Sequence, residues 1–285
     1  MTPESKMLTW EDAVVWLREQ PDQRQLVLDA YYDDPLTDAA ERYFRSGEWQ
    51  EIAKLLAGRS GKALDVGAGR GIASYALARE GFDVTALEPD GSAIVGAEAI
   101  RKLGRDAGLD IEVVQEFSEV LPFESGSFDV VFARAVLHHT RDLNAACREM
   151  FRVLRPGGVF LGLREHVISR EEDLARFLEQ HPLHRLYGGE CAYPLSSYHA
   201  ALEKAGFSRI EILTPLASAI NLFPYTRESL RAAIVDRLSR RTPARPLFEL
   251  LLGRRRGFDY LLSLAGRFDN RPGRLYSFVC YKSAS

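Results

Sequence analysis

From Lys62 onward, short apolar runs rich in Val, Leu and Phe alternate with segments whose apolar positions recur every three or four residues. That alternation predicts βαβ units and a parallel sheet. Strands are expected at about 62–66, 83–88, 111–114, 128–133 and 158–163, and their unbroken apolar character implies that both faces are covered. The clearest helix falls between the last two, where Leu143, Ala146, Cys147, Met150 and Leu154 step by three and four before Arg155-Pro156-Gly157-Gly158 ends it. A further helix near 197–205 stops at Gly206 and leads to a strand near 209–213, and 275–281 reads as a final strand. Ahead of Lys62 the pattern is one of short helices. Thr9 followed by Asp12 can cap one that Pro21 ends, and Ser46 can cap another running through Trp49, Ile52, Leu55 and Leu56.

Composition adds little to this α/β picture and removes some alternatives. The 285 residues, 46% of them hydrophobic, suffice for a sizeable core, and a net charge of −3 gives no global attraction to a polyanion. Three cysteines, Cys147, Cys191 and Cys280, are far apart and form no C-x-x-C pair, which fits a reducing compartment. The first residues carry Glu4, Glu11, Asp12 and Glu19 and lack a secretory pattern, and no segment is apolar for long enough to span a bilayer. A cytoplasmic protein is expected.

The strongest chemical signal is Leu64-Asp65-Val66-Gly67-Ala68-Gly69-Arg70-Gly71, an apolar strand running into a glycine-rich turn and a helix through Ala73, Ala76 and Leu77. Glycines there let a ligand approach the backbone and meet free N–H groups at the helix start, although a tight turn without a ligand would read the same way. Glu88 narrows the choice. It ends the second strand about 20 residues beyond the turn, where a carboxylate can accept both hydroxyls of a ribose. A dinucleotide fingerprint would place its third glycine where Ile72 stands, so the G-x-G-x-G spacing favours a ligand without phosphates.

Taken in order, Asp65 to Gly71, Glu88, Leu121-Pro122-Phe123, Ser127-Phe128-Asp129-Val130-Val131, Leu137-His138-His139 and Arg155-Pro156-Gly157-Gly158 resemble the class I S-adenosylmethionine-dependent methyltransferases. The likeness is to the small-molecule branch related to ubiquinone biosynthesis, and it covers roughly residues 62–166. It implies a doubly wound, mostly parallel seven-stranded sheet of Rossmann-like type. The cofactor would be S-adenosylmethionine, leaving as S-adenosylhomocysteine. By resemblance, Asp65, Gly67, Ala68 and Gly69 would hold its methionine half, Glu88 with Pro89 its ribose, and Ala133 would border it at the end of the fourth strand. The family's usual adenine-binding aspartate is replaced here by Phe117, so Phe117 is expected against the base and the backbone around Ser118 at its edge. Asp90 is expected to cap the following helix.

Methyl transfer from a sulfonium asks for in-line positioning and, with a protonated nucleophile, a nearby base. Ligands in open parallel sheets bind beyond the carboxyl ends of the strands, which nominates Arg134 and His139 after the fourth strand and Arg164, Glu165 and His166 after the fifth. The catalytic candidates are His139, Arg134 and His166. His139 suits a general base, while a histidine that caps or orients the next helix is the plainer reading. His181 and His184 sit at surface-helix spacing without partners, and no spacing indicates a metal site.

The implied organisation is a helical appendage at 1–60, a cofactor-binding core at 61–213 with an insertion at about 168–194, a helical lid over the acceptor site at 214–273, and a last core strand at 274–285. The lid carries Arg237, Arg240, Arg241, Arg245, Arg254, Arg255 and Arg256, either a solvated face or an anion-recognition patch. Tyr31-Tyr32-Asp33-Asp34-Pro35 and Arg42-Tyr43 could close over the cofactor or pack in the core. Gly188-Gly189-Glu190 reads as a loop near the acceptor. The partner is expected to be a small molecule, an anionic one being open. Nucleic acid ranks low because no recognition module accompanies the arginines. A nicotinamide oxidoreductase and a non-catalytic cofactor-binding protein are the competing classes.

Overall fold

A computed structural model of the chain describes residues 7–240 and 244–284. Four helices come first: α1 (Trp10–Glu19), α2 (Arg24–Asp29), α3 (Leu36–Phe44) and α4 (Gly47–Leu56). Thr9 caps α1 by accepting from the Asp12 backbone, and Ser46 caps α4 by accepting from Trp49, as their side-chain chemistry predicts. The core then alternates: β1 (Lys62–Val66), α5 (Ile72–Arg79), β2 (Asp83–Leu87), α6 (Ala97–Ala107), β3 (Ile111–Val114), β4 (Phe128–Arg134), α7 (Leu143–Val153) and β5 (Leu154–Ile168). After α8 (Asp173–Gln180) and α9 (His184–Tyr187) come β6 (Tyr193–Pro194), α10 (Leu195–Ala205) and β7 (Arg209–Leu213). The chain closes with α11 (Ala219–Leu222), α12 (Arg227–Ser239), α13 (Arg245–Gly253), α14 (Arg255–Arg267) and β8 (Arg274–Tyr281).

Among the described residues the main sheet runs β3-β2-β1-β4-β5-β8-β7, and the two-residue β6 pairs with β5. The first five strands are parallel and β8 is antiparallel to both its neighbours. Successive side chains of a strand go to opposite faces, and the core divides accordingly. Leu64, Val66, Val131, Ala133 and Phe160 pack on one side with residues of α7 and α10. Ala63, Val130, Phe132, Val159 and Leu161 pack on the other with α4 and α5. Each large apolar side chain so enclosed is worth roughly 1.5–3 kcal/mol, which explains why the strands read as continuous apolar runs.

The fifth strand is much longer than the expected 158–163. Its first residue, Leu154, pairs beside Phe128 across a register shift, and a second irregularity separates Gly162 from Glu165. Arg164 sits in that irregularity at φ 60°, a left-handed conformation that side chains rarely adopt. Registers decide where ligands can sit. Val66 lies beside Leu87 and beside Ala133, so the turns leaving β1, β2 and β4 emerge at one level. No described helix is long and apolar enough to cross a membrane.

Candidate active site

These strand ends open into a cleft of about 710 Å³, within the roughly 300–1,000 Å³ of small-molecule sites. One wall is the turn after β1. Gly67 has φ 63°, and a Cβ there would lie 2.7 Å from Val136 Cγ2. Gly71 opens α5 at φ 82°, and a Cβ there would lie 3.0 Å from Ile100. Any side chain at either place would be strained and would fill the space. Glu88 stands next to this turn, accepting from Gly69 N at 2.7 Å and from Asp90 N at 3.0 Å, and burial raises its pKa. Asp65 is buried with its Oδ2 accepting from the Ser74 hydroxyl at 2.6 Å, and burial pushes its carboxyl up to about 7 against that bond.

The amino-terminal helices close this wall. Arg70 donates to the carbonyls of Ile94, Tyr31 and Asp33, pinning the segment after α2 to the glycine turn. Trp10 and Tyr31 line the cleft, Tyr31 stacks on Phe223 with ring centres 5.5 Å apart, and Tyr43 is wholly in the core. Tyr31 and Tyr43 are both packed in the core, and Tyr31 also reaches the cleft lining.

The other wall follows β4 and β5. A single 3₁₀ turn, Leu137–His139, is held by Glu165, whose wholly buried carboxylate accepts from the backbone of Val136, Leu137 and His138, each at 3.1 Å, and pairs with His138 Nδ1 at 2.6 Å. Buried Glu190 brings Oε2 within 3.7 Å of Nε2 of both His138 and His139, and its Oε1 lies 3.9 Å from His181 Nδ1. Burial would lower the pKa of His138, but Glu165 and then Glu190 outweigh it and lift it to about 9. Burial, followed by the charge on His138, lowers His139 and takes His166 down to about 3. At neutral pH, therefore, His138 is the charged ring and its two neighbours are neutral bases.

Beneath both walls lies a buried ion-pair group. Glu48 of α4 accepts from Arg134 at 2.6 and 3.1 Å and stands 3.7 Å from Arg164. Burial opposes its ionisation, yet Arg134 and Arg164 outweigh that and hold its pKa low. Arg134 and Arg164 both line the cleft, and Arg164 also donates to the Ile220 carbonyl at 2.8 Å. Tyr31, Ala135 and Arg164, the non-glycine residues with positive φ among the described residues, all line the cleft, a clustering typical of functional sites.

Asp65, Gly67, Ala68, Gly69, Glu88, Pro89, Phe117, Ser118, Arg134, His139 and His166 all line this one cleft. Ala133 does not: it is fully buried in the sheet core, and Arg134 and Ala135 take the bordering place. Asp90 does not cap the next helix through its side chain. Its carboxylate accepts from Ser92 N two residues on, and α6, with Gly96 before its first residue, has no side-chain cap, only the Asp90 backbone carbonyl accepting from Ala97 N at 2.7 Å. Nor does His139 cap α7, because Asp142 does so and His139 Nδ1 donates instead to the Gly189 carbonyl. His181 is no surface histidine: it follows α8 and packs edge-on against His166 at 5.2 Å between ring centres.

The long connection before β8 reaches the cleft through Phe223 and Pro224, whereas no described residue of α12 to α14 is part of its lining. Arg237, Arg240, Arg245 and Arg254 are exposed away from the cleft, Arg245 pairing with Asp236 and Glu249; Arg241 and the side chains of Arg255 and Arg256 lie outside the described residues. Glu48 carried no sequence signal, and Glu190 was singled out only as part of a loop near the acceptor. Glu190 lies in a glycine-flanked loop and Glu48 in the first turn of a helix, so only the fold shows what they meet.

Comparison with known proteins fits this geometry. A family model described as a methyltransferase domain matches residues 64–162. An uncharacterized methyltransferase of Bacillus subtilis, YodH, is 30% identical over 171 residues, which cover 60% of this chain and 70% of that protein. The chain belongs to the class I S-adenosylmethionine-dependent methyltransferases. A ubiquinone biosynthesis O-methyltransferase of Bordetella avium is 36% identical over 117 residues, and this methyltransferase spans less than half of that relative, 45%, with 39% of its own chain matched. A Haemonchus contortus phosphoethanolamine methyltransferase, solved with phosphomonomethylethanolamine and S-adenosylhomocysteine, shares the fold at TM-score 0.52 and 20% identity, over 91% of this chain and 60% of that one. The cofactor of this methyltransferase is S-adenosylmethionine. The glycine cradle, with no room for a Cβ at Gly67, and the buried acids Asp65 and Glu88 fit such a group.

Proposed function

We propose that this enzyme methylates a small molecule held against the histidine wall, with Gly67, Ala68, Gly69 and Asp65 holding the methionine half of the cofactor and Glu88 its ribose. Phe117 and Ser118 border the adenine. The bound cofactor supplies an electrophilic sulfonium methyl group. The observation that carries the reading is that the cradle and a neutral, properly oriented base line the same cleft. His139 Nδ1 is committed to the Gly189 carbonyl at 3.0 Å, so its lone pair is on Nε2. As the oxygen or nitrogen of the acceptor bonds to the methyl carbon, the carbon–sulfur pair stays on sulfur and the acceptor's proton passes to that Nε2. His166 remains neutral beside it. Arg134 and Arg164 against the single Glu48 leave a net positive charge, which favours an acceptor bearing an anionic group.

The test is label transfer from methyl-labelled cofactor into a cell extract fractionated by size. Label should appear in a low-mass compound; label confined to RNA or protein would reject the reading. With the acceptor in hand, His139→Gln should lower kcat about a hundredfold and leave cofactor affinity unchanged, measured by steady-state kinetics and calorimetry.

Asp65 gives a prediction in pH. In the folded chain its carboxyl holds a proton up to about pH 7, against an ordinary value of 3.8. Its contribution to stability is thus fully present below the ordinary value and is lost as pH rises through about 7. Asp65→Asn removes that titration: its melting temperature should match wild type near pH 4 and exceed it at pH 8. At pH 8 its cofactor affinity should be about tenfold weaker, for want of one charge-assisted hydrogen bond of roughly 1.5 kcal/mol. Scanning calorimetry and titration across pH check both.

A further inference from the structure

We propose that Glu190, His138 and His139 form a binding site for a divalent first-row transition-metal ion on the histidine wall of the cleft. Each imidazole turns its Nδ1 to a fixed partner: His138 to Glu165 at 2.6 Å and His139 to the carbonyl of Gly189 at 3.0 Å. Neighbouring His166 does the same toward the carbonyl of Gly273 at 2.9 Å. Such a partner on one ring nitrogen aims the other, which is how metal-bound histidines are ordinarily supported, and at His138 the ion takes the place of the proton that the charged ring carries on Nε2.

The aimed atoms converge. Nε2 of His138 and Nε2 of His139 both stand 3.7 Å from Oε2 of Glu190, too far for a hydrogen bond. Two ligands bound tetrahedrally to one ion at about 2.0–2.1 Å are about 3.4 Å apart, so each histidine–carboxylate pair needs a contraction of a few tenths of an ångström, and the two imidazole nitrogens must close from within 4.8 Å to the same spacing. One donor atom from each of the three residues lies within 4.8 Å of the others. The second carboxylate oxygen is held separately, Oε1 of Glu190 accepting from the Tyr187 hydroxyl at 3.0 Å, and His166 and His181 complete a second group around the same residue. Two imidazoles and a carboxylate suit zinc, iron(II) or cobalt(II), whereas magnesium and calcium take all-oxygen shells. Three protein ligands leave a position for a ligand from the cleft.

The consequence rests on the reading that the acceptor lies at this wall. An acceptor hydroxyl on the ion loses its proton to solvent at a lower pH, because the cation stabilises the oxyanion. Its oxygen then bonds to the methyl carbon, the carbon–sulfur pair stays on sulfur, and the ion is neither oxidised nor reduced. His139 Nε2 serves as a ligand in place of accepting the proton.

The experiment uses the full chain, stripped with chelator and titrated calorimetrically with Zn²⁺, Co²⁺ and Mg²⁺, the cobalt form also being read by its visible absorption. One Zn²⁺ or Co²⁺ should bind per chain, far more tightly than Mg²⁺, with a cobalt spectrum that shows nitrogen ligation. His139→Ala and Glu190→Gln should each weaken this at least tenfold. His199→Ala, at an exposed histidine 3.1 Å from Glu203, should not. His139 is 38% exposed, so its truncation leaves the core intact. Zn²⁺ and Co²⁺ binding no tighter than Mg²⁺, or unchanged in both variants, overturns the site. S-adenosylmethionine binding by the same stripped samples separates the two readings: metal failure with cofactor binding intact sinks the metal site alone, and the converse sinks the methyl-transfer reading alone.

Discussion

Glu88→Ala is expected to lower affinity for S-adenosylmethionine about a thousandfold, and Glu88→Gln about a hundredfold. The reasoning is a count of hydrogen bonds in a dry place. A ribose offers two hydroxyls, and each bond to a charged acceptor contributes roughly 1.5–3 kcal/mol, so losing both costs about 4 kcal/mol or a factor of a thousand in affinity. Glutamine keeps one acceptor oxygen and the shape, hence the smaller loss. The same carboxylate also holds Gly69 N and Asp90 N, so alanine additionally frees the backbone that forms the cradle. The folded chain itself should tolerate both changes, because burial already disfavours the charge that they remove. Calorimetric titration with the cofactor and thermal melts of the free protein separate these effects. Affinity within threefold of wild type in a well-folded Glu88→Ala would sink the ribose assignment.

What made the place of Glu88 beside the glycine turn readable is that it depends on local pattern. A strand of known length ends at it, and the turn that it faces is named by its glycines, so spacing alone brings them together. The strands of the core and the caps at Thr9 and Ser46 were readable for the same reason, since each is fixed within a few residues. The contacts of Glu165 and Glu190 were not, although both positions were expected near the acceptor, because their partners on the histidine wall lie 27 to 52 positions away and meet them through sheet register and loop path. Asp90 and His139 show the converse error. Both residue types cap helices readily, but Ser92 lay closer to Asp90, and Asp142 held the capping position that His139 would have needed. Ala133 failed by one residue: alternation turned its side chain into the core, and the next residue, Arg134, borders the cleft. That α12 to α14 stand outside the lining was not legible, since an apolar, arginine-rich stretch predicts helices but not the direction in which they leave the sheet.

The fold's own dependence on a distant contact gives the second large effect. Glu48→Ala should destabilise the protein by about 3–5 kcal/mol, the usual cost of leaving buried charge without its partner. Here one carboxylate with a fully buried side chain serves two guanidiniums, Arg134 with 19% and Arg164 with 12% of their side chains exposed. Arg134 retains no other carboxylate within ion-pairing distance among the described residues, and it also lies over the ring of Tyr43 at 5.4 Å, which cannot neutralise it. The loss should appear as a lower urea midpoint with an unchanged slope. Acid supplies the sign: the pKa of Glu48 is held low by the arginines, so its contribution is present above the ordinary carboxylate range and fades as pH falls through the lowered value. The gap between wild type and Glu48→Ala should therefore narrow on acidification. Combining Glu48→Leu with Arg134→Leu should recover part of the stability, as replacement of buried charges by apolar groups often does, while Arg164 is left without its carboxylate. It should not recover catalysis, because Arg134 also lines the cleft and α4 would no longer anchor the left-handed backbone at Arg164. A Glu48→Ala protein within 1 kcal/mol of wild type at neutral pH would show that water, and not this carboxylate, compensates the two guanidiniums.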